Sequence, residues 1–217
     1  GHQVTVCTTD RGIPIKKVLG SNAVAALLGN GIDLKCFAVD FTPLLYSRTM
    51  AAWLRRDISQ FDIVHVHGLY RFPPTYAAYC ARRQRVPYVI SPHGALDPYL
   101  YKRSSRSLAI KRVYERWFDF PNLSAAGAIH YTAEEERSRV AFLNLNAPSF
   151  VVPNGIEWRR FEHLPKRGAF RARLNIGNAP LLLFLGRLNF KKGLNLLIPA
   201  FNRMRQLHPD AQLLIVG

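Results

Sequence analysis

Two cations share one short segment whose flanking residues suit the binding of an anion: Arg187 follows Gly186 directly, and Lys192 precedes Gly193. Glycine leaves the backbone open to close approach, and a guanidinium and an ammonium beside free N–H groups can hold a phosphate or a diphosphate. The spacing is neither a Walker loop nor the dinucleotide fingerprint G-x-G-x-x-G. A second set consists of histidines. His65 and His67 form an H-x-H pair beside Gly68, and His93 stands between Pro92 and Gly94. An imidazole can donate a hydrogen bond to a phosphate or a sugar hydroxyl in either protonation state. An H-x-H pair can also chelate a metal, but no carboxylate or cysteine is spaced to complete the ligand set; packed, hydrogen-bonded histidines are the plain alternative. For His93 that alternative is a turn residue tying its loop down. Thr132 to Glu135 has the form of a capping box, which accounts for Glu135 without chemistry, so no paired-carboxylate hydrolase is indicated.

The elements around these residues place them. The unbroken apolar run over residues 181–185 predicts a strand buried on both faces, and residues 194–207 have helical spacing, so 186–192 is a strand-to-helix loop. Such loops hold ligands in open α/β sheets, and the helix starting near Gly193 adds unpaired N–H groups and a positive dipole end. Earlier in the chain, strands are predicted over residues 1–8, 34–39, 61–67, 87–91, 125–131 and 149–152, with helices over 17–28, 43–59 and 75–83. This alternation predicts a parallel sheet. Side chains alternate along a strand, so His65 and His67 share a face, and His67 and the His93 loop fall at carboxyl ends, the ligand edge. Residues 98–120 predict a helix with Ile110, Val113, Tyr114, Trp117 and Phe120 in a core stripe and Lys111, Arg112, Glu115, Arg116 and Asp119 solvated. Pro153-Asn154-Gly155 breaks the last of the early strands and marks a hinge.

Composition limits the function classes. The 217 residues carry 30 Lys plus Arg against 14 Asp plus Glu, a net charge of +16 that favours an acidic partner: nucleic acid, an anionic membrane surface or a phosphorylated substrate. No nucleic-acid motif is present and the aromatics lie in apolar stripes, which disfavours the first. The basic stretch from Lys102 to Arg116 is the segment suited to an anionic membrane surface. Cys7, Cys36 and Cys80 form neither a disulfide framework nor a zinc site and fit a reducing compartment. With no signal peptide and no long apolar span, the expectation is a cytoplasmic protein peripheral to the inner face of the membrane.

Gly186-Arg187-Leu188 with Lys192-Gly193 resembles the GRL…KG motif of retaining glycosyltransferases of the GT-B fold, the group that includes glycogen and sucrose synthases. Asp62 to Gly68, Ser91-Pro92-His93-Gly94, Ile129 to Glu136 and Val152-Pro153-Asn154-Gly155-Ile156 are similar to that family's further landmarks, in its order. The resemblance implies an α/β chain with a nearly complete Rossmann-like first domain over residues 1–155, lacking its first strand. A connector over 156–179 and the opening β-α-β of a nucleotide-sugar-binding domain over 180–217 would follow. It implies transfer of a sugar, with retention, from a nucleotide-diphosphate sugar to a saccharide or lipid-linked acceptor, as in cell-surface polysaccharide or glycolipid synthesis. The donor is a co-substrate, with no cofactor and no metal, and no D-x-D motif occurs. Arg187 and Lys192, with Gly186, would hold the diphosphate; His93 would act catalytically at the sugar; His67, Gly94 and Asn154 would line the substrate. Truncation at both ends is expected to leave the chain inactive alone. The family's first Gly-rich loop and its E-x7-E segment are not among these residues, so the donor's identity is not legible. The rival readings are a nucleotide-sugar epimerase or hydrolase of the same fold, and a non-catalytic basic module that binds nucleic acid.

Overall fold

Val64-His65-Val66-His67 and Tyr88-Val89-Ile90-Ser91 have the β-branched and aromatic content of strands, and in the computed structural model, which describes residues 1–11, 22–101 and 105–217, they pair in parallel. The chain divides into two units, Gly1–Gly155 and Ile156–Gly217.

In the first unit, β1 (Thr5–Thr9) pairs in parallel with β2 (Asp33–Phe37), and α1 (Asn22–Gly29) lies between them in sequence. Of the helix predicted over 17–28, residues 17–21 lie outside the described residues. A four-stranded parallel sheet follows, β3 (Val64–His67), β4 (Tyr88–Ser91), β5 (Ala128–Tyr131) and β6 (Ser149–Val151), in that order. Helix α2 (Arg48–Asp57) starts at Ser47, whose side chain accepts from the Met50 N–H, and buries Met50, Ala51 and Leu54. Helix α3 (Phe72–Arg83) carries prolines in its first turn, where no N–H is needed, and buries Ala78 and Ala81. Alternation sends Val66, Ile90 and Ile129 into the buried cluster with these residues, while His65, His67 and His130 take the other parity.

The segment predicted as one helix over 98–120 is broken, and part of its expected pattern is inverted: Arg112 and Arg116 are exposed as expected and Phe120 packs against the core, but Glu115 and Asp119 are buried while Val113 and Trp117 are exposed. Lys102 and Arg103, included in the basic stretch read from the sequence, lie outside the described residues. A short turn at Pro98–Tyr101 precedes α4 (Ser105–Tyr114), a π-helical turn spans Glu115–Asp119, and α5 (Phe120–Ser124) follows. Glu115 and Asp119 are only 2% and 1% exposed, whereas Val113 and Trp117 are 59% and 69% exposed. The acids are tolerated inside because each finds donors. Asp119 accepts from the Tyr70 N–H (3.0 Å) and the Thr75 hydroxyl (2.6 Å), and Glu115 accepts from the Tyr70 hydroxyl and lies 3.8 Å from Lys111 Nζ. Burial raises the Asp119 carboxyl above its usual range despite those donors.

In the second unit, α7 (Ala169–Arg173) precedes β7 (Leu181–Leu185), α8 (Leu194–Leu207) and β8 (Gln212–Val216), with β7 and β8 paired in parallel. The expectation that β7 is buried on both faces does not hold. Leu182, Leu183 and Leu185 are exposed, because β7 has β8 as its one strand neighbour and α8 as the one helix joining them.

Replacing Asp119 by Ala strands a buried amide and a buried hydroxyl, which should lower the unfolding free energy by about 1–3 kcal/mol. Trp117→Ala, at an exposed position, should stay within about 0.5 kcal/mol of wild type. Urea unfolding of the two variants measures the contrast, and equal midpoints would contradict the burial pattern.

Candidate functional site

All four strands of the larger sheet run the same way, so the residues ending them meet at one edge: His67, Ser91, Tyr131 and Val151. The turn after β4 holds His93 at φ 52° and Gly94 at φ 70°. A left-handed non-glycine residue is strained, and the turn exposes the imidazole. His67 Nδ1 and His93 Nε2 are 2.9 Å apart with nearly parallel rings, so the structure brings together two of the residues singled out in the sequence. Only one of the facing nitrogens can carry the shared proton, and burial followed by the charges of His93 and His130 lowers the His67 pKa.

Gly94 turns its N–H onto Glu136 Oε1 at 2.5 Å, while Glu136 Oε2 accepts from the Thr132 N–H and hydroxyl, each at 2.9 Å. Burial works to raise this carboxyl, but the N–H groups of Thr132 and Gly94, the Thr132 hydroxyl and nearby His93 outweigh it and hold the pKa below the usual range. The acid that reaches back from helix α6 (Glu134–Val140) is therefore Glu136, one residue beyond the capping-box expectation; Glu135 pairs instead with Arg139 at 2.6 Å. Beside this clamp lies a hollow of about 310 Å³, lined in part by Gly94, Asp97, Glu135 and Arg139.

A second hydrogen-bonded chain was not foreseen. His130 Nε2 lies 2.8 Å from the Val152 carbonyl, His130 Nδ1 lies 2.8 Å from Ser91 Oγ, and Ser91 Oγ lies 2.7 Å from His65 Nε2. A carbonyl only accepts, so His130 donates there; with a neutral ring, Ser91 then donates to His130 and accepts from His65. His65 packs against His67 at 4.2 Å between ring centroids, and burial, with the charges of His67, His130 and His93, pushes its pKa down to about 4. His130 and Ser91 stand on separate strands, in two landmarks whose sequences say nothing of a contact between them. Their register against β3 supplies the association, and it was hidden at the level of spacing.

Asn154 lies in the loop after β6 with an exposed side chain and no hydrogen bond to a described residue. Among the described residues, no three of His, Cys, Asp or Glu are arranged to hold a metal ion. Burial, then Cys36, push the Cys7 thiol pKa up to about 12, which disfavours the thiolate form.

In the second unit, the loop after β7 carries Gly186 and Arg187 and closes through a turn at Phe190–Lys192 onto α8. Gly193 caps that helix at φ 70°, and its carbonyl accepts from Leu196 and Leu197, both at 2.9 Å. Residues at the very start of a helix have no carbonyl one turn back to donate to. Arg187 and Lys192 are exposed, and neither forms an ion pair with a described residue. Lys192 thus directly precedes the cap of a helix of 14 residues, and Arg187 stands in the same loop, just after β7.

The depressed His65 pKa carries a sign. Between its ordinary 6.5 and the folded value of about 4, the unfolded chain binds a proton that the folded chain refuses, so stability falls as pH falls through that window. His65→Gln should flatten this loss, measured as denaturant midpoints from neutral pH down to mildly acid pH; parallel curves for the two proteins would contradict it.

Residues 1–160 match the family described as Glycosyltransferase Family 4, and residues 166–217 match Glycosyl transferases group 1. One curated relative is the GDP-mannose-dependent alpha-(1-6)-phosphatidylinositol monomannoside mannosyltransferase of Mycolicibacterium smegmatis, 28% identical over 181 residues, covering 81% of this chain and 44% of the relative. Another is the lipopolysaccharide 1,2-N-acetylglucosaminetransferase of Salmonella typhimurium, 25% identical over 216 residues, covering 97% of this chain and 50% of the relative. The chain thus spans about half the length of the curated relatives it matches. Of solved structures, Anabaena HepE in complex with UDP and glucose matches with a TM-score of 0.63 at 17% identity, over 100% of this chain and 61% of that one. Sucrose-phosphate synthase from Thermosynechococcus elongatus matches with a TM-score of 0.61, also at 17% identity, over 99% and 62%. At such identity the structures speak to the fold, which is of the GT-B type. On the match over residues 1–160, the chain belongs to Glycosyltransferase Family 4.

Proposed function

We propose that this chain serves a glycosyltransferase that moves a sugar from a nucleoside-diphosphate sugar to a saccharide or lipid-linked acceptor with retained configuration. The observation that carries the reading is the pair of exposed, glycine-flanked cations in the loop from β7 to α8, Arg187 and Lys192. When the glycosidic bond of such a donor breaks, negative charge grows on the departing diphosphate. A guanidinium, an ammonium and helix N–H groups stabilise that charge more in the transition state than before it. His93, exposed on a strained turn and paired with His67, is assigned to the sugar, where an N–H can be offered to a hydroxyl. Gly186, Gly94, His67 and Asn154 are assigned to the lining of the substrates. The relatives' names include a phosphatidylinositol mannoside and a lipopolysaccharide, which supports an acceptor in glycolipid or cell-surface polysaccharide synthesis. The free thiols suit a reducing, cytoplasmic setting.

In the full-length protein, Arg187→Ala and Lys192→Ala should each weaken binding of UDP or GDP by roughly one to two decades, the equivalent of about 1.5–3 kcal/mol per charge-assisted hydrogen bond. Calorimetry reads this directly, and unchanged affinity in both variants removes the diphosphate site. His93→Ala should cut turnover more than nucleoside-diphosphate affinity; equal losses in the two would make His93 structural. A labelled donor with and without acceptor distinguishes transfer from epimerisation, and NMR of the product's anomeric proton reads retention. We further propose that residues 1–217 by themselves do not transfer sugar, since they cover only about half of each curated relative. Comparable turnover by the 217-residue chain and the full-length protein would refute this.

A further inference from the structure

We propose that Glu136 is the positioning residue of the sugar site: its carboxylate holds the peptide between His93 and Gly94 so that the imidazole is offered to the substrate, an inference that rests on the assignment of His93 to the sugar. The turn has an unusual build. The Ala95 N–H donates to the Pro92 carbonyl at 3.1 Å, and the two residues between them, His93 and Gly94, both lie at positive φ, 52° and 70°. Two successive left-handed residues are the mark of a type I′ turn, whose first central position ordinarily falls to Gly, Asn or Asp. Those residues either lack a Cβ or bond to their own backbone; a histidine has neither means, so its neighbours must hold it. Pro92 and Leu96 do part of this, being buried on either side of the arch.

The rest falls to Glu136. The N–H of the peptide joining His93 to Gly94 donates to Glu136 Oε1 at 2.5 Å, across 42 residues of sequence. The plane of that peptide sets the ψ of His93, and with it the direction in which the imidazole leaves the chain. The far oxygen is anchored independently: Oε2 accepts from the Thr132 N–H and hydroxyl at 2.9 Å each, so the carboxylate bridges the turn after β4 to the start of α6. Helix capping accounts for the Thr132 bonds, but not for the Gly94 bond, which leads out of the helix to the residue beside His93. The bridge requires a carboxylate. Both of its oxygens face N–H donors, whereas a glutamine would turn its own NH2 onto one of them and lose that side. Glu136 also lies near enough to His93 for the imidazole's charge to act on it.

A double-mutant cycle in the full-length protein, read as sugar transfer from a labelled donor, separates positioning from capping. Glu136→Gln should lower kcat roughly ten- to a hundredfold, since a misplacement of about 1 Å can cost about a hundredfold, while KM for the donor and affinity for UDP or GDP stay within about twofold of wild type. Should Glu136→Gln fail to fold, Glu136→Asp, too short to span both partners, takes its place. In a His93→Ala background the same substitution should cost almost nothing more, because the group it positions is gone. Glu135→Gln, whose acid pairs with Arg139 and not with the turn, should keep wild-type kcat. An equal loss with and without His93 would make Glu136 a helix cap alone and overturn the proposal, as would full turnover in Glu136→Gln. One readout needs no turnover. With 15N-glycine labelling, the Gly94 amide proton, identified by its absence in Gly94→Ala, should resonate far downfield in the wild type and move upfield in Glu136→Gln; an unmoved resonance overturns the proposal by itself. If the shift occurs but the wild type transfers no sugar, it is the functional reading that falls, and the clamp's role at the sugar with it.

Discussion

Parallel pairing is the constraint on which the first unit depends. A parallel neighbour can be reached only by a crossover, so β3 to β6 each return through a separate segment and end at the same edge. That is why residues as distant in sequence as His67, His93 and Glu136 are gathered around one turn. An antiparallel hairpin at any of these positions would have carried its strand end to the opposite edge. His93 and Gly94 stand on a loop and His67 ends its strand, while Val66, Ile90 and Ile129 belong to the buried cluster.

The two candidate sites differ in electrostatic character. Around His93 the histidines crowd one another, and desolvation together with mutual repulsion lowers the pKa of both His65 and His67. A neutral imidazole can donate and accept at once, which suits hydroxyl groups. The carboxylate that meets the turn, Glu136, accepts from the Gly94 and Thr132 amides and shapes the loop. Arg187 and Lys192 form no ion pair with a described residue.

The segment from α4 to α5 shows how a polar network can override a hydrophobic pattern. A regular helix would have placed Val113, Tyr114 and Trp117 in the core, but the π turn at Glu115–Asp119 changes the angle between successive residues. Two acids then point inward, at a cost offset by the Tyr70 and Thr75 donors and by Lys111, which also lies 4.4 Å from the Tyr70 ring centroid. What is left outside is an aromatic and basic surface.

The sequence by itself determined the α/β class, the parallel alternation, the shared face of His65 and His67, and the strand-to-helix loop carrying Arg187 and Lys192. These follow from local period and from glycine placement, which a single segment contains. Tertiary structure decided what depends on register between segments. Ser91 and His130 joined His65 because β4 and β5 align their ends with β3, and no spacing along the chain encodes that alignment. Glu136 rather than Glu135 took the capping role because the helix starts at Glu134, which makes Glu136 its third residue, and the Gly94 amide, 42 residues away, donates to the same carboxylate. Trp117 was placed outside, and Asp119 inside, because a hydrophobic period measures only the preference of each side chain for water. It holds no information about whether a buried carboxylate will find donors, and Tyr70 and Thr75, on a distant loop and helix, supplied them.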